Sequence, residues 1–425
     1  MRRGARRDMG EEPLIAAVRS GDARAVDALL EAGADPDTTD EHGTPALCLA
    51  VDTFDLTIVE SLMASARLDR VDADGRTPLL RAIDRGHCDI SRALIRNGAK
   101  LWAKDAEGRD ALALARYWHE TGVMTELRRR TGRPGPAEFR TVRSEDLTTC
   151  GELSLRGLKV RTGHTAILTD LEPQYGITVA FEELLSRALA EPDVEHEVWW
   201  VTTYLLQQRH DPTTWGTAAA MRDRTDPMER YFGAEVLRLI SLFDESEESP
   251  YAARLVDLFL PWVADEPDPR VTWVLTAGLC DAGYADPRAE GPMPALTRHA
   301  DGKVRQWAIS GLAHAIAAGK PEALTAVVER TMDESAAVRR TACHGLASAP
   351  AYAVTAWDAL AACLSDEDES VRVEAAVRLA LHDDPRGDDV LRGLDHNDEA
   401  SPYHWRLHDV RRHLLSKTDT LPADE

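Results

Sequence analysis

The sequence predicts an all-α protein: two helical solenoids in tandem, with a small β-hairpin between them. Three observations lead there. In the second half, Val271, Val304, Val338 and Val371 stand 33, 34 and 33 residues apart, and a fixed step of that size means stacked supersecondary units, not one closed core. In the first third, turn glycines Gly43, Gly75 and Gly108 are 32 and 33 residues apart. The 425 residues are 44% hydrophobic but only 6% aromatic, which suits small-residue helix packing better than a β-sandwich. A chain this long is expected to form two or more units.

Residues 11–131 carry the first pattern. Gly75 and Gly108 close Asp-x-x-Gly turns that need positive φ. Thr77 then supplies an N-cap acceptor, with Pro78 at the first helical position. Gly33 and Gly98 follow the second helix of their copies, where a left-handed residue closes it. Pro13 to Gly33 reads as a truncated first copy. The array is similar to ankyrin repeats, about four of them. The copy that begins at Asp40 departs from the pattern: Thr44-Pro45 comes one place early, and it ends at Ala66 without glycine, so distortion is expected there. The histidine that starts the family's first helix is replaced by Ile15, Cys48, Leu80 and Ala113.

Residues 132–176 read as a linker with a short hairpin and a capping helix. Arg128, Arg129 and Arg130 are expected at a helix C-terminus, complementing its dipole. The Gly/Pro-rich stretch from Thr131 to Pro136 predicts a protease-sensitive joint between separable domains. Glu152 to Val160 alternates around Arg156-Gly157, as a hairpin would. Thr162 reads as the N-cap of a helix carrying Ile167, Leu168 and Leu171 that closes near Gly176. An isolated hairpin is marginal in water, so it is expected to cap the array that follows.

Residues 177–416 read as paired helices, beginning with Val179–Ala190 and a helix carrying Trp199 and Trp200, and ending with Asp388–Leu394 and Tyr403–Leu415. Each valine is followed by an apolar residue four and eight places on, as in Val338, Ala342 and Leu346, which is one helix stripe. Residues 417–425 are expected to be a disordered tail. The pattern resembles HEAT repeats in their short bacterial form, about seven of them. That resemblance implies a structural ladder. Arg305, Arg339 and Arg372 follow their valines, and Asp333 and Asp366 stand five places before theirs. Thr272 and His299 interrupt it, and looser stacking is expected there.

No phosphate-binding Gly-rich loop, nucleophile elbow or His-Glu-x-x-His occurs, so no catalytic residue and no cofactor is expected. HEAT-fold iron hydroxylases build their metal site from several His-Glu pairs in register. Here only His119-Glu120 and His196-Glu197 occur, one in each array as read above, so no metal site is expected from them. His404 and His408 are spaced i, i+4, but nothing completes a zinc set; the helix reads as a solvated cap. The six cysteines are scattered without Cys-x-x-Cys, as reduced thiols of a cytosolic protein would be. Candidate partner-binding residues are Trp200, Tyr204, Trp273, Trp307 and His344, with His42, Asp74 and Glu107 at the turns before Gly43, Gly75 and Gly108.

Residues 1–132 carry 20 Lys+Arg against 23 Asp+Glu, leaving 30 against 50 for the remainder, a balance of −20. That argues against a phosphate-binding surface in the second half, and so against a further alternative, a DNA-binding or repair protein of HEAT fold. No apolar run reaches the roughly 18 residues of a membrane span, and the opening arginines lack the apolar region of a signal peptide; Met9 is an alternative start to Met1. The expectation is a non-catalytic, cytoplasmic scaffold that binds proteins with basic segments and neither nucleic acid nor membrane. The alternative is an enzyme or chaperone-like factor acting on a protein substrate, since short HEAT repeats also resemble bilin lyases.

Overall fold

The computed structural model describes residues 12–132, 135–144, 147–209, 211–246, 250–394 and 401–418. The chain is mostly helical, with 24 α-helices and one three-stranded sheet among the described residues. It divides into two compact units, Met1–Leu206 and Gln207–Glu425.

The first unit begins with four helix pairs: α1 (Pro13–Ser20) with α2 (Ala23–Glu31), α3 (Ala46–Thr53) with α4 (Leu56–Met63), α5 (Pro78–Asp84) with α6 (Cys88–Arg96), and α7 (Ala111–Thr121) with α8 (Val123–Thr131). The turns between pairs share one design. The carboxylates of Asp40, Asp72 and Asp105 each accept backbone N–H groups two and four residues on. Gly43, Gly75 and Gly108 follow with φ of 81°, 75° and 79°, which only glycine adopts without strain. Thr77 Oγ1 accepts from the Leu80 N–H. The Asp40 copy differs as its sequence does: Pro45 precedes α3 without a side-chain cap, and Phe54 ends the helix at φ 62°.

The region expected as a linker belongs to this unit. Three antiparallel strands, β1 (Glu138–Arg143), β2 (Thr149–Leu155) and β3 (Leu158–Arg161), pair in sequence order. The expected hairpin is β2–β3. Its turn, Arg156 at φ 52° and Gly157 at φ 80°, has the paired positive φ that fits strand twist. β1 was not predicted; its residues are mostly exposed and do not alternate. The hairpin does not cap a following array. Leu153, Leu155 and Val160 share one core with Trp118 and Leu127 of the fourth helix pair, and α8 packs against both strands. Helix α9 (His164–Gln174) packs on α6 and α7. Its N-cap is Gly163; the Thr162 hydroxyl accepts from the Gly151 N–H instead.

The unit continues through α10 (Phe181–Leu189) and α11 (Glu197–Gln207), both assigned above to the second array. Val198 and Val201 join the same core, and buried Arg187 forks onto Glu172 of α9 at 2.6 and 3.1 Å. The Gly/Pro stretch is therefore not a domain boundary, because the apolar face of the hairpin is buried against α8.

The second unit comprises α12 (Pro212–Ala220), α13 (Pro227–Leu242), α14 (Pro250–Asp265), α15 (Pro269–Ala282), α16 (Met293–Leu296), α17 (Gly302–Ser310), α18 (Ala313–Ala317), α19 (Pro321–Arg330), α20 (Ala336–Leu346), α21 (Val354–Ala362), α22 (Glu369–Leu381), α23 (Asp388–Arg392) and α24 (His404–Thr418). It is a helical repeat: α13, α15, α17, α20, α22 and α24 stack in that order. Val271, Val304, Val338 and Val371 are fully buried along the stack. Asp211, Asp226 and Asp268 each cap a helix that opens with proline, the pairing of acceptor and pre-set φ that fixes a helix start. Residues 247–249 lie outside the described residues, as does the expected tail from 419 on.

Candidate functional site

In the second unit Arg305 and Arg339 join their own turn to a carboxylate of the next repeat, whereas Arg372 stays on carbonyls of its own turn. Arg305 Nη2 donates to Asp333 Oδ1 at 2.8 Å, while Nη1 donates to the carbonyls of His299 and Ala300. Arg339 forks onto Asp366 at 2.7 and 2.8 Å and also donates to the Asp333 carbonyl; the fork holds Asp366 below the usual carboxylate range. Arg372 donates to the carbonyls of Asp366 and Glu367. Sequence reading missed one rung: Arg230 forks onto Glu266 at 3.0 and 2.7 Å and takes the carbonyls of Arg224 and Thr225. Glu266, five places before Val271, was the available signal. At the interruption, Thr272 bonds the Asp268 carbonyl of its own helix, and His299 Nδ1 accepts from the Asp301 N–H. Val271, Leu275, Val304 and Ala308 are nevertheless fully buried, so the apolar side of that step stays closed without a rung.

The aromatic candidates are not a bare row. Trp200 stacks on Tyr204 at 5.2 Å in the first unit and is partly exposed. Trp273 and Trp307, in the second, are half-buried and already hold the chain's own cations: Lys303 Nζ lies 4.7 Å over Trp273, and Arg238 Cζ 5.6 Å over Trp307. His344 is exposed and tied to Glu374 and Arg378. His42, Asp74 and Glu107 are exposed at the tips of three equivalent turns. His404 and His408 lie edge-on to Trp405.

The arginine run does more than face a helix dipole. Arg130 forks onto buried Asp84 at 2.7 and 2.6 Å, reaches Glu126 at 2.7 Å, and covers the Trp118 ring at 4.6 Å. Arg129 pairs with Glu126 as well. Burial alone would raise Asp84, but its bonds from Arg130 and Trp118 bring it down to about 2.

Beside this cluster lies a polar centre that the sequence did not reveal. The Thr149 N–H donates to the Glu195 carbonyl at 2.8 Å, and Thr149 bridges to His196, which lays the segment before α11 along the start of β2. Cys150, His196 and Glu197 thereby bring a thiol, an imidazole and a carboxyl within 4.8 Å of one another, all three buried. His196 Nδ1 accepts from the Val198 N–H at 3.2 Å; Nε2 is 3.3 Å from Thr162 Oγ1, itself 3.6 Å from Cys150 Sγ. Burial, then the charge of Asp89, pushes Glu197 up to about 8, against the contact with Cys150. Burial also pushes the Cys150 thiol well up and His196 down. Two glycines make the approach feasible. A Cβ on Gly163 would meet Glu197 Oε1 at 2.2 Å and the Gly86 carbonyl at 2.6 Å; one on Gly86 would meet the Arg161 carbonyl at 2.2 Å. The pairing of His196-Glu197 with Cys150, 46 residues upstream, has no local signature.

Comparison with known proteins bears on the first unit. The family described as ankyrin repeats (3 copies) matches residues 14–105. Residues 14–105 are ankyrin repeats. The chain is also similar to a palmitoyltransferase, AKR1 of Lachancea kluyveri: 28% identical over 155 residues, 28% of this chain and 21% of that protein. The chain thus spans about a fifth of that relative's length. Among solved structures, YibA of Escherichia coli aligns at 15% identity with a TM-score of 0.44, covering 57% of this chain and 84% of the other. Ankyrin repeats generally mediate protein–protein interaction. No helix among the described residues is long and apolar enough to cross a membrane.

Proposed function

We propose that the protein is a non-catalytic interaction scaffold of the cytoplasm, with the second unit a HEAT-type array. The observation that carries this reading is the register of the ankyrin turns: His42, Asp74 and Glu107 stand exposed at equivalent tips over a base fixed by identical Asp-to-backbone bonds. Such rows are contact surfaces on a repeat protein. The Arg–carboxylate rungs support the HEAT assignment. The second unit carries 23 Lys+Arg against 38 Asp+Glu over residues 207–425, and an acidic surface attracts cationic segments. The partner is therefore a protein with a basic segment. Palmitoyl transfer belongs to the AKR1 relative by name.

The test is affinity isolation from the native cell, followed by titration of the recovered partner at low and high salt with duplex DNA as control. Replacing His42, Asp74 and Glu107 together with alanine should weaken binding at least about tenfold, the effect of losing roughly 1.4 kcal/mol of contact, with the melting temperature unchanged. Affinity should fall with salt, since exposed charges are screened beyond roughly 8 Å at physiological ionic strength. Unaltered binding by the triple variant, or tight salt-sensitive binding to DNA, would overturn the reading.

A further inference from the structure

We propose that Cys150, His196 and Glu197 form a Zn2+ site inside the first unit, independent of the scaffold surfaces. Thiolate, imidazole and carboxylate together are a ligand set of borderline softness that suits Zn2+ better than Mg2+ or Ca2+. The three donors come from two segments, β2 and the start of α11, that are joined by the Thr149–Glu195 backbone bond. Zn–ligand distances of about 2.0–2.3 Å put tetrahedral donors roughly 3.3–3.8 Å apart. A spread of 4.8 Å therefore closes with side-chain adjustments of about 1 Å.

A second observation points to a cation. Glu197 Oε1 is buried and has no hydrogen-bond partner among the described residues, and no ion pair reaches Glu197 there. A carboxylate oxygen left so is costly unless it is protonated or meets positive charge. Gly163 lacks the Cβ that would strike this oxygen, so the backbone is shaped around the carboxyl group. Of the nearby cations, Arg92 donates to Asp170, and Arg161 contacts His87 through Nη1 while its Nε is itself without a hydrogen-bond partner; no ion pair from either reaches Glu197 among the described residues.

His196 ligates through Nε2, the nitrogen turned toward Thr162 and Cys150. The ring proton then sits on Nδ1, and the Val198 N–H contact at 3.2 Å is given up on binding. The Cys150 proton leaves to solvent as the thiolate takes the metal. Three protein ligands leave a fourth position for water.

The experiment uses the full chain, reduced and freed of metal, titrated first with Zn2+ and then with Co2+. The expected result is about one equivalent of Zn2+ per chain by elemental analysis, and with Co2+ a thiolate-to-metal charge-transfer band. Cys150→Ser should abolish the band, Cys88→Ser should keep it, and Glu197→Gln should raise the Kd at least about tenfold, since even outer-shell losses cost 10–100-fold. Folded wild-type protein that takes up neither metal overturns the proposal, and needs no variant to fold. Persistence of the band in Cys150→Ser, or its loss in Cys88→Ser with circular dichroism unchanged, overturns it too, because another thiol then supplies the sulfur.

Discussion

The two units bury charge in different ways. In the second, Arg230 and Arg339 fork onto a carboxylate of the next repeat, Arg305 reaches one through Nη2 alone, and all three donate to carbonyls of their own turn. One local solution recurs once per repeat. In the first, the buried polar groups are held by contacts that do not recur: Asp84 by Arg130 and Trp118, Arg187 by Glu172, His87 by Arg161, and His164 by stacking on Trp118, each from a different element. Among the described residues every buried histidine, His87, His164 and His196, lies in the first unit. A periodic array can spread its polar cost evenly; a unit that folds a sheet and three further helices onto repeats concentrates it at the junction.

This difference should appear most strongly under acid. Burial, then the charge of Arg161, holds His87 down to about 3; burial holds His164, stacked on Trp118 at 4.4 Å, down to about 4. Below about pH 6.5 the unfolded chain takes up a proton on each ring that the folded unit refuses. Stability is therefore full above 6.5 and drains as pH falls toward 4 for His164 and 3 for His87. At pH 4.5 the loss is roughly 2–3 kcal/mol per histidine, on the order of 5 for the pair. Hydrogen exchange, corrected for its intrinsic pH dependence, should show α5 and α9 losing protection between pH 7 and 4.5 well before α17 and α20. Equal loss in both units would erase the contrast.

The junction can also be broken sterically. Gly86 and Gly43 share positive φ, 66° and 81°, which costs alanine roughly 1–2 kcal/mol. Around Gly43 a Cβ meets nothing within 4 Å, whereas at Gly86 it meets the Arg161 carbonyl at 2.2 Å. Overpacking of that kind adds about 1–3 kcal/mol. Gly86→Ala should therefore destabilise the unit by about 3–4 kcal/mol in urea unfolding and Gly43→Ala by about 1–2 kcal/mol. If the two variants match, the close approach of β3 to the third repeat contributes nothing.

The same contrast explains what the sequence could convey. The ladder was legible because Asp333, Arg339, Asp366 and Arg372 repeat at a fixed offset from buried valines, and the ankyrin turns because Asp, Gly, Thr and Pro each answer a local backbone need. The junction was not. Thr162 resembles an N-cap, yet its hydroxyl serves Gly151 eleven residues back. Thr131 to Pro136 has a linker's composition, yet the strands after it enter the core of the helices before it. Composition reports local chain preference, while a boundary depends on where apolar faces find partners. Cys150 and Glu197 meet for the same non-local reason.

Within the ladder, removing Arg339 leaves Asp366, a largely buried carboxylate, without its fork. Arg339→Ala should cost about 2–3 kcal/mol, near the lower end for breaking a buried pair, read as a lowered urea midpoint with unchanged m-value. Asp366→Asn should recover part of that loss in the double variant, because the unpaired charge is then gone. If melting is unmoved while partner binding disappears, Arg339 is a contact residue instead.

Arg372 separates the two halves of a rung and gives the smallest effect. It donates to the carbonyls of Asp366 and Glu367 as Arg339 donates to those of Asp333 and Glu334. Among the described residues, however, no carboxylate accepts from it, and it is only half-buried. Its loss removes hydrogen bonds to carbonyls that water can reach, worth about 1 kcal/mol or less. Arg372→Ala should thus lower stability by less than half of what Arg339→Ala does, measured side by side under one set of conditions. Equal losses would mean that the carbonyl contacts carry the ladder and that the aspartates serve only to shape the turns.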